Sequence, residues 1–85
     1  MDLTEDREAI LKAAIDGVRR VAEAIAALPQ EHQERAFEAV KQTYLRTVRD
    51  LGYAEDDARS WVSHMMYRLR ADVEEINEGG ADGAS

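Results

Sequence analysis

Apolar positions recur at three- and four-residue steps along most of the chain, the period of an α-helix and not the alternation of a strand. In the first segment Leu11, Ile15, Val18, Ala22 and Ile25 form one row, and Ile10, Ala14, Val21 and Leu28 form a second beside it. At about 100° per residue the two rows merge into an apolar arc of roughly 180°, with Lys12, Asp16, Arg19, Arg20 and Glu23 on the other side. Asp2 followed three residues later by Glu5 has the spacing of a capping box, and Thr4 is an equally good N-cap. A helix from about residue 4 to 28 follows. Gly17 falls inside it at a cost of about 1 kcal/mol against alanine, and a neighbouring helix crossing closely is the expected reason.

Pro29 ends that helix and fits the first turn of the next, where its missing N–H is not needed. Phe37, Val40, Tyr44, Val48 and Leu51 continue at helical steps until Gly52, the residue type that closes helices in the left-handed conformation. The second helix therefore spans about 30–51, with Glu31 and Glu34 early and Arg46 and Arg49 late, as the helix dipole favours. The third spans about 55–78. Glu55, Asp56 and Asp57 crowd its positive end, and Ala58, Trp61, Val62, Met65, Leu69, Val73 and Ile76 form its stripe. Glu74, Glu75 and Glu78 oppose the dipole at its far end, so fraying is expected before Gly79-Gly80, and residues 79–85 read as a flexible tail. Acid-first pairs four residues apart, Glu8 with Lys12, Asp16 with Arg20, Glu31 with Arg35 and Glu55 with Arg59, each add about 0.2–0.5 kcal/mol if formed.

These elements predict an all-α fold, an antiparallel three-helix up-down bundle comprising one domain over residues 1–78. Its expected core is Leu11, Ile15, Val18, Ile25, Phe37, Val40, Tyr44, Val48, Trp61, Met65, Leu69 and Val73. The competing arrangement is an open one whose helices complete their core against a second chain, because a single core this small supplies only about 3–5 kcal/mol.

Composition narrows the chemistry. The chain has 85 residues, 18 Asp+Glu against 11 Lys+Arg for a net charge of −7, and no cysteine. Disulfides, thiolate zinc sites, iron–sulfur clusters and a cysteine nucleophile are thereby excluded. The longest run without Asp, Glu, Lys or Arg is Ser60 to Tyr67, and Val21 to Gln30 is interrupted by Glu23, so no segment approaches the ~20 apolar residues of a membrane span. The acidic opening lacks the marks of a secretory or transit signal, and a cytoplasmic location is expected. His32 and His64 stand in no metal-binding spacing and read as solvated side chains, and Glu55-Asp56-Asp57 lacks the alternation and glycine of a calcium loop. None of Thr4, Thr43, Thr47, Ser60, Ser63 or Ser85 sits in a nucleophile elbow, and no phosphate loop is present. Neither catalysis nor a cofactor is expected.

Binding surface is the remaining prospect. Arg35, Gln42, Arg46 and Arg49 share one face of the second helix, opposite Phe37 and Val40. That row reads first as a solvated face, next as a site for an acidic protein surface, and last as a nucleic-acid contact. Duplex DNA is disfavoured because no segment is net positive: residues 1–28 carry six acids and four bases, 29–51 four and four, 52–78 seven and three. Met66, on the margin of its stripe, and Tyr67, opposite the stripe beside Arg68 and Arg70, are further partner candidates. If a closed bundle leaves part of the first helix's arc uncovered, Ile10, Ala14, Val21 and Leu28 become the contact of a two-fold homodimer. The expected function is a non-enzymatic protein-interaction module. The alternative is a small acidic phage-type inhibitor, a nucleic-acid mimic occupying another protein's basic groove, since −7 suits either.

Overall fold

A computed structural model describes the backbone of residues 3–84 and the side chains of residues 6–79. Three helices follow one another, α1 (Leu3–Ala26), α2 (Gln30–Asp50) and α3 (Glu55–Ala84), with no strand among the described residues. They form the antiparallel three-helix bundle, α1 packing mainly on α3 and α2 closing the remaining side. The bundle measures 52 × 22 × 16 Å, its length set by the 30 residues of α3.

Both connections are fixed by backbone chemistry. Pro29 lies one position earlier than expected, as the N-cap of α2 in extended conformation (φ −54°, ψ 142°), with no side-chain cap. Its carbonyl instead accepts the His32 N–H at 2.8 Å. Gln33, which no hydropathy pattern singles out, is buried, and its Nε2 donates to the Leu28 carbonyl at 3.2 Å, tying α2 to the turn before it. At the other end of α2 the Gly52 N–H donates to the Arg49 carbonyl at 2.9 Å, and Gly52 takes the expected positive φ of 88°. Arg7 from α1 covers this turn. Its guanidinium lies 5.7 Å from the Tyr53 ring centroid, and a Cβ on Gly52 would meet its Nη2 at 3.3 Å.

The core consists of Val18, Ala22 and Ile25 from α1, Phe37, Tyr44 and Val48 from α2, and Ala58, Val62, Met65, Met66, Leu69 and Val73 from α3. Leu11, Ile15, Val40 and Trp61 pack against it but stay partly exposed, a correction to the expected core. For Trp61 the cause is size: its indole meets the Tyr44 ring edge-to-face (centroids 5.8 Å apart, planes at 82°), and so large a side chain is rarely covered completely.

Three local expectations change as well. No neighbouring helix crosses at Gly17, where an added Cβ would find nothing within 4 Å. Ala22 and Ala58, both fully buried, are instead the small residues of the interior. The backbone of α3 stays helical past Gly79-Gly80 to Ala84, because helical hydrogen bonds need no side chain and glycine weakens a helix without forbidding it. The mobility expected of 79–85 and the caps at Asp2 or Thr4 concern side chains that, apart from Gly79, lie outside the described residues. Of the four expected intrahelical ion pairs, only Glu55–Arg59 is closed, at 3.3 Å. Exposed pairs gain too little to hold two long side chains in place. Arg19 reaches across to α3 instead, 3.9 Å from Asp72 and 3.7 Å from Glu75.

Candidate interaction groove

Where two antiparallel helices pack, the rows flanking their contact form the walls of a groove. Between α2 and α3 those rows are Phe37, Lys41 and Leu45 on one side and Arg59, Val62, Ser63, Met66, Tyr67 and Arg70 on the other. Two depressions run end to end along this seam, of about 310 and about 280 Å³, sharing Lys41, Val62 and Ser63. The floor is apolar, formed by Phe37, Leu45, Val62 and Met66, and the walls are largely cationic. Lys41, Arg49, Arg59 and Arg70 line the two depressions against one acid, Glu38.

Two of the cations, Arg70 and Arg49, are placed by ion pairs that cross the seam. Arg70 lays its guanidinium over the Phe37 ring, 4.4 Å from the centroid, and forks onto Glu34 with Nη1 and Nη2 at 2.9 and 3.2 Å. At the opposite end the Arg49 Nε donates to Glu55 at 3.0 Å, and Arg59 shares that carboxylate. Hydrogen bonding from Arg70 and its nearby charge hold the Glu34 carboxyl below its usual range. Arg49, with help from Arg59, does the same to Glu55. Lys41, midway between the two clusters, has no ion-pair partner within 4 Å among the described residues.

The residues expected to bind a partner divide on this geometry. Arg49, Met66 and Tyr67 come together in the groove; Arg35 and Arg46 are exposed on α2 but outside it. Met66 is only 8% exposed, so it acts as floor and not as the surface residue expected, because the margin of one helix's apolar stripe is covered where a second helix packs beside it. Tyr67 stands on the lip, 77% exposed. The sequence singles out neither Lys41 nor Arg59 for binding, and names Arg70 only as a neighbour of Tyr67. Their signal is the pairing of an i, i+4, i+8 row on α2 with the row from Arg59 to Arg70 on α3, which appears only once the two helices are set antiparallel. Ile10 on α1 (44%) and Leu28 (39%), which lies in the turn after Ala26 and not in the helix as expected, are exposed, while Ala14 and Val21 are half covered by the bundle.

No protein family, curated protein or solved structure matches the chain. Among the described residues no three His, Asp or Glu side chains converge to hold a metal ion, and no helix is long and apolar enough to cross a membrane.

Proposed function

We propose that the chain is a non-enzymatic protein-interaction module and that the α2–α3 groove receives its partner. The observation that carries this reading is the groove's composition: an apolar floor flanked by four cations, with an exposed tyrosine at its lip, on a chain whose net charge is −7. Apolar floor with polar walls is the anatomy of a helix-binding groove, and tyrosine and arginine are the residue types that most often anchor interfaces. The same clustering of cations favours this reading over an acidic nucleic-acid mimic, whose contact face needs carboxylates in that place.

The test is site-specific photo-crosslinking in the cell that makes the protein, with a photoreactive phenylalanine analogue at Tyr67 and, as a control, at Arg35. A discrete protein adduct from position 67 and none from position 35 supports the reading. Adducts to nucleic acid, or equal labelling from both positions, overturn it. Homodimerisation through α1 is a second proposal, favoured by the exposure of Ile10 and Leu28. Ile10 lies in the first half of α1 and Leu28 in the turn beyond its end, with the half-covered Ala14 and Val21 between them, so the contact offered is narrow.

A further inference from the structure

We propose that the occupant of the α2–α3 groove is an acidic amphipathic helix of about three turns, an inference that rests on the interaction-module reading. Length is the first argument. From Phe37 to Arg49 the α2 wall runs roughly 18 Å, and from Arg59 to Arg70 the α3 wall runs roughly 16 Å, at 1.5 Å per residue. Three helical turns rise about 16 Å and present apolar side chains at i, i+3 or i+4, and i+7 on one face, matching a floor built at the same spacing.

Charge is the second. Four cations stand along the walls against Glu38 and the two carboxylates, Glu34 and Glu55, that pair with three of them, while the chain as a whole is at −7, so the groove is where a negative partner meets the least repulsion. The groove also displays the recognition it would use, because Arg70 already holds the Glu34 carboxylate in a two-pronged fork and Arg49 holds Glu55. These pairs are solvent-exposed and cheap to exchange, so a partner's carboxylates can share or replace Glu34 and Glu55. Lys41, at the centre and without an ion-pair partner among the described residues, can take a carboxylate directly.

Glu38, interposed along the α2 wall, decides between an acidic helix and a nucleic acid. A phosphate backbone places a charge at every nucleotide and runs into Glu38, Glu34 and Glu55 in turn. A helix spaces its carboxylates and can leave a neutral residue opposite each of them. Tyr67, on the lip, then closes over the occupant's apolar face.

The experiment uses the full chain and four fluorescein-labelled probes: three helical peptides of about 16 residues with one shared apolar stripe, flanked by Glu, Gln or Lys, and a single-stranded DNA of about the same number of nucleotides. Anisotropy titrations at low and moderate salt give affinities, and amide chemical-shift changes give the binding face. The Glu-flanked peptide should bind about tenfold or more tighter than the Lys-flanked one, weaken with salt, and shift the amides of Lys41, Ser63 and Tyr67. The double variant Lys41→Glu/Arg59→Glu should lose about tenfold in affinity, while Arg35→Glu/Arg46→Glu, outside the groove, stays within about twofold. Circular dichroism of each variant establishes that it folds, and Lys41→Gln serves if the double variant does not. No acid preference, insensitivity to Lys41→Gln, no binding of the Glu-flanked peptide, or tighter binding of DNA at the same amides each overturns the acidic-helix occupant. A protein adduct at Tyr67 in the cell alongside any of these results leaves the interaction module standing and removes only its occupant.

Discussion

Tyr44 carries a polar atom for which the fold has no use. The side chain is 9% exposed, and its hydroxyl oxygen is buried without a hydrogen-bond partner. Burying an unpaired hydroxyl costs about 1–3 kcal/mol in proteins, so Tyr44→Phe removes that cost while the ring keeps its edge-to-face contact with Trp61. Loss of one oxygen's packing takes back less than about 1 kcal/mol. The net gain is then about 1 kcal/mol, which for a domain this small raises Tm by roughly 4–8 °C. The alkaline limb gives an independent check, because burial pushes the Tyr44 phenol above its ordinary value of 10.0. Below pH 10 both folded and unfolded chains hold the proton, and no pH dependence arises from this group. Above it the unfolded chain releases the proton first, binds fewer protons than the folded one, and stability falls as pH rises. Thermal melts followed by circular dichroism from neutral pH to about pH 11 should therefore show wild type losing stability faster than Tyr44→Phe above about pH 10, shared groups cancelling in the comparison. A variant that melts lower at neutral pH, or that follows the wild-type alkaline limb, would refute the reasoning and mean that the hydroxyl is bonded.

Gly17→Ala should raise stability by about 1 kcal/mol, because alanine favours the helix and its Cβ meets nothing within 4 Å; a lowered Tm that depends on protein concentration would reveal a second copy packed there. Sedimentation across a concentration range tests the same α1 face, where a dimer should dissociate on dilution and weaken with Ile10→Glu, and a monomer throughout removes it. Gly52→Ala should cost about 1–2 kcal/mol, since φ is 88° and the flexible end of Arg7 can move aside, leaving the backbone as the source of strain; an unchanged denaturation midpoint would contradict this. Trp61→Ala should cost about 2–3 kcal/mol, below the range for a fully buried tryptophan because part of the indole is already in water, and urea unfolding measures it. Glu34, held low by Arg70, stabilises the fold above its unfolded value near 4.5, and that contribution disappears as pH falls through its lower folded value. Glu34→Gln should flatten the acid limb of the stability profile below about pH 4.5, and an acid limb identical to wild type would remove the Arg70 fork as a stabilising contact.

The helices were legible because each is encoded locally. Pro29 and Gly52 punctuate the chain where only backbone chemistry matters, and the buried rows from Val18 to Ile25, Phe37 to Val48 and Met65 to Val73 follow a period that one helix alone defines. What could not be read were quantities that depend on two helices at once. Gln33 is buried because the carbonyl of Leu28 turns toward it, which depends on how the chain reverses at Pro29. Gly17 reads as a crossing point on propensity grounds, yet the rotation of α1 sends it outward. Leu11, Ile15, Val40 and Trp61 lie on apolar rows as good as the buried ones, and only the packing of three axes decides which rows reach the centre.

The groove is the extreme case of that dependence. On α2, the residues Arg35, Gln42, Arg46 and Arg49 make a basic face by helical angle, and this draws attention to the helix's solvated side. The cations that line the seam come from both helices, and two of them are aimed by a carboxylate on the other: Arg70 of α3 by Glu34 of α2, Arg49 of α2 by Glu55 of α3. Such reciprocal aiming has no signature within either helix, because a spacing of four offers nearer partners only to Arg59 (Glu55) and Arg70 (Glu74) among these cations, and none to Lys41 or Arg49. Of those nearer partners the bundle closes one, Glu55–Arg59, and it is the one whose carboxylate Arg49 also shares. A charge pattern judged helix by helix therefore sees a mildly acidic surface, whereas the assembled pair places its cations along one apolar seam. That placement requires only the antiparallel register of α2 against α3, so a substitution that shifts the register, as at Gly52 between them, should disturb the groove before it disturbs either helix.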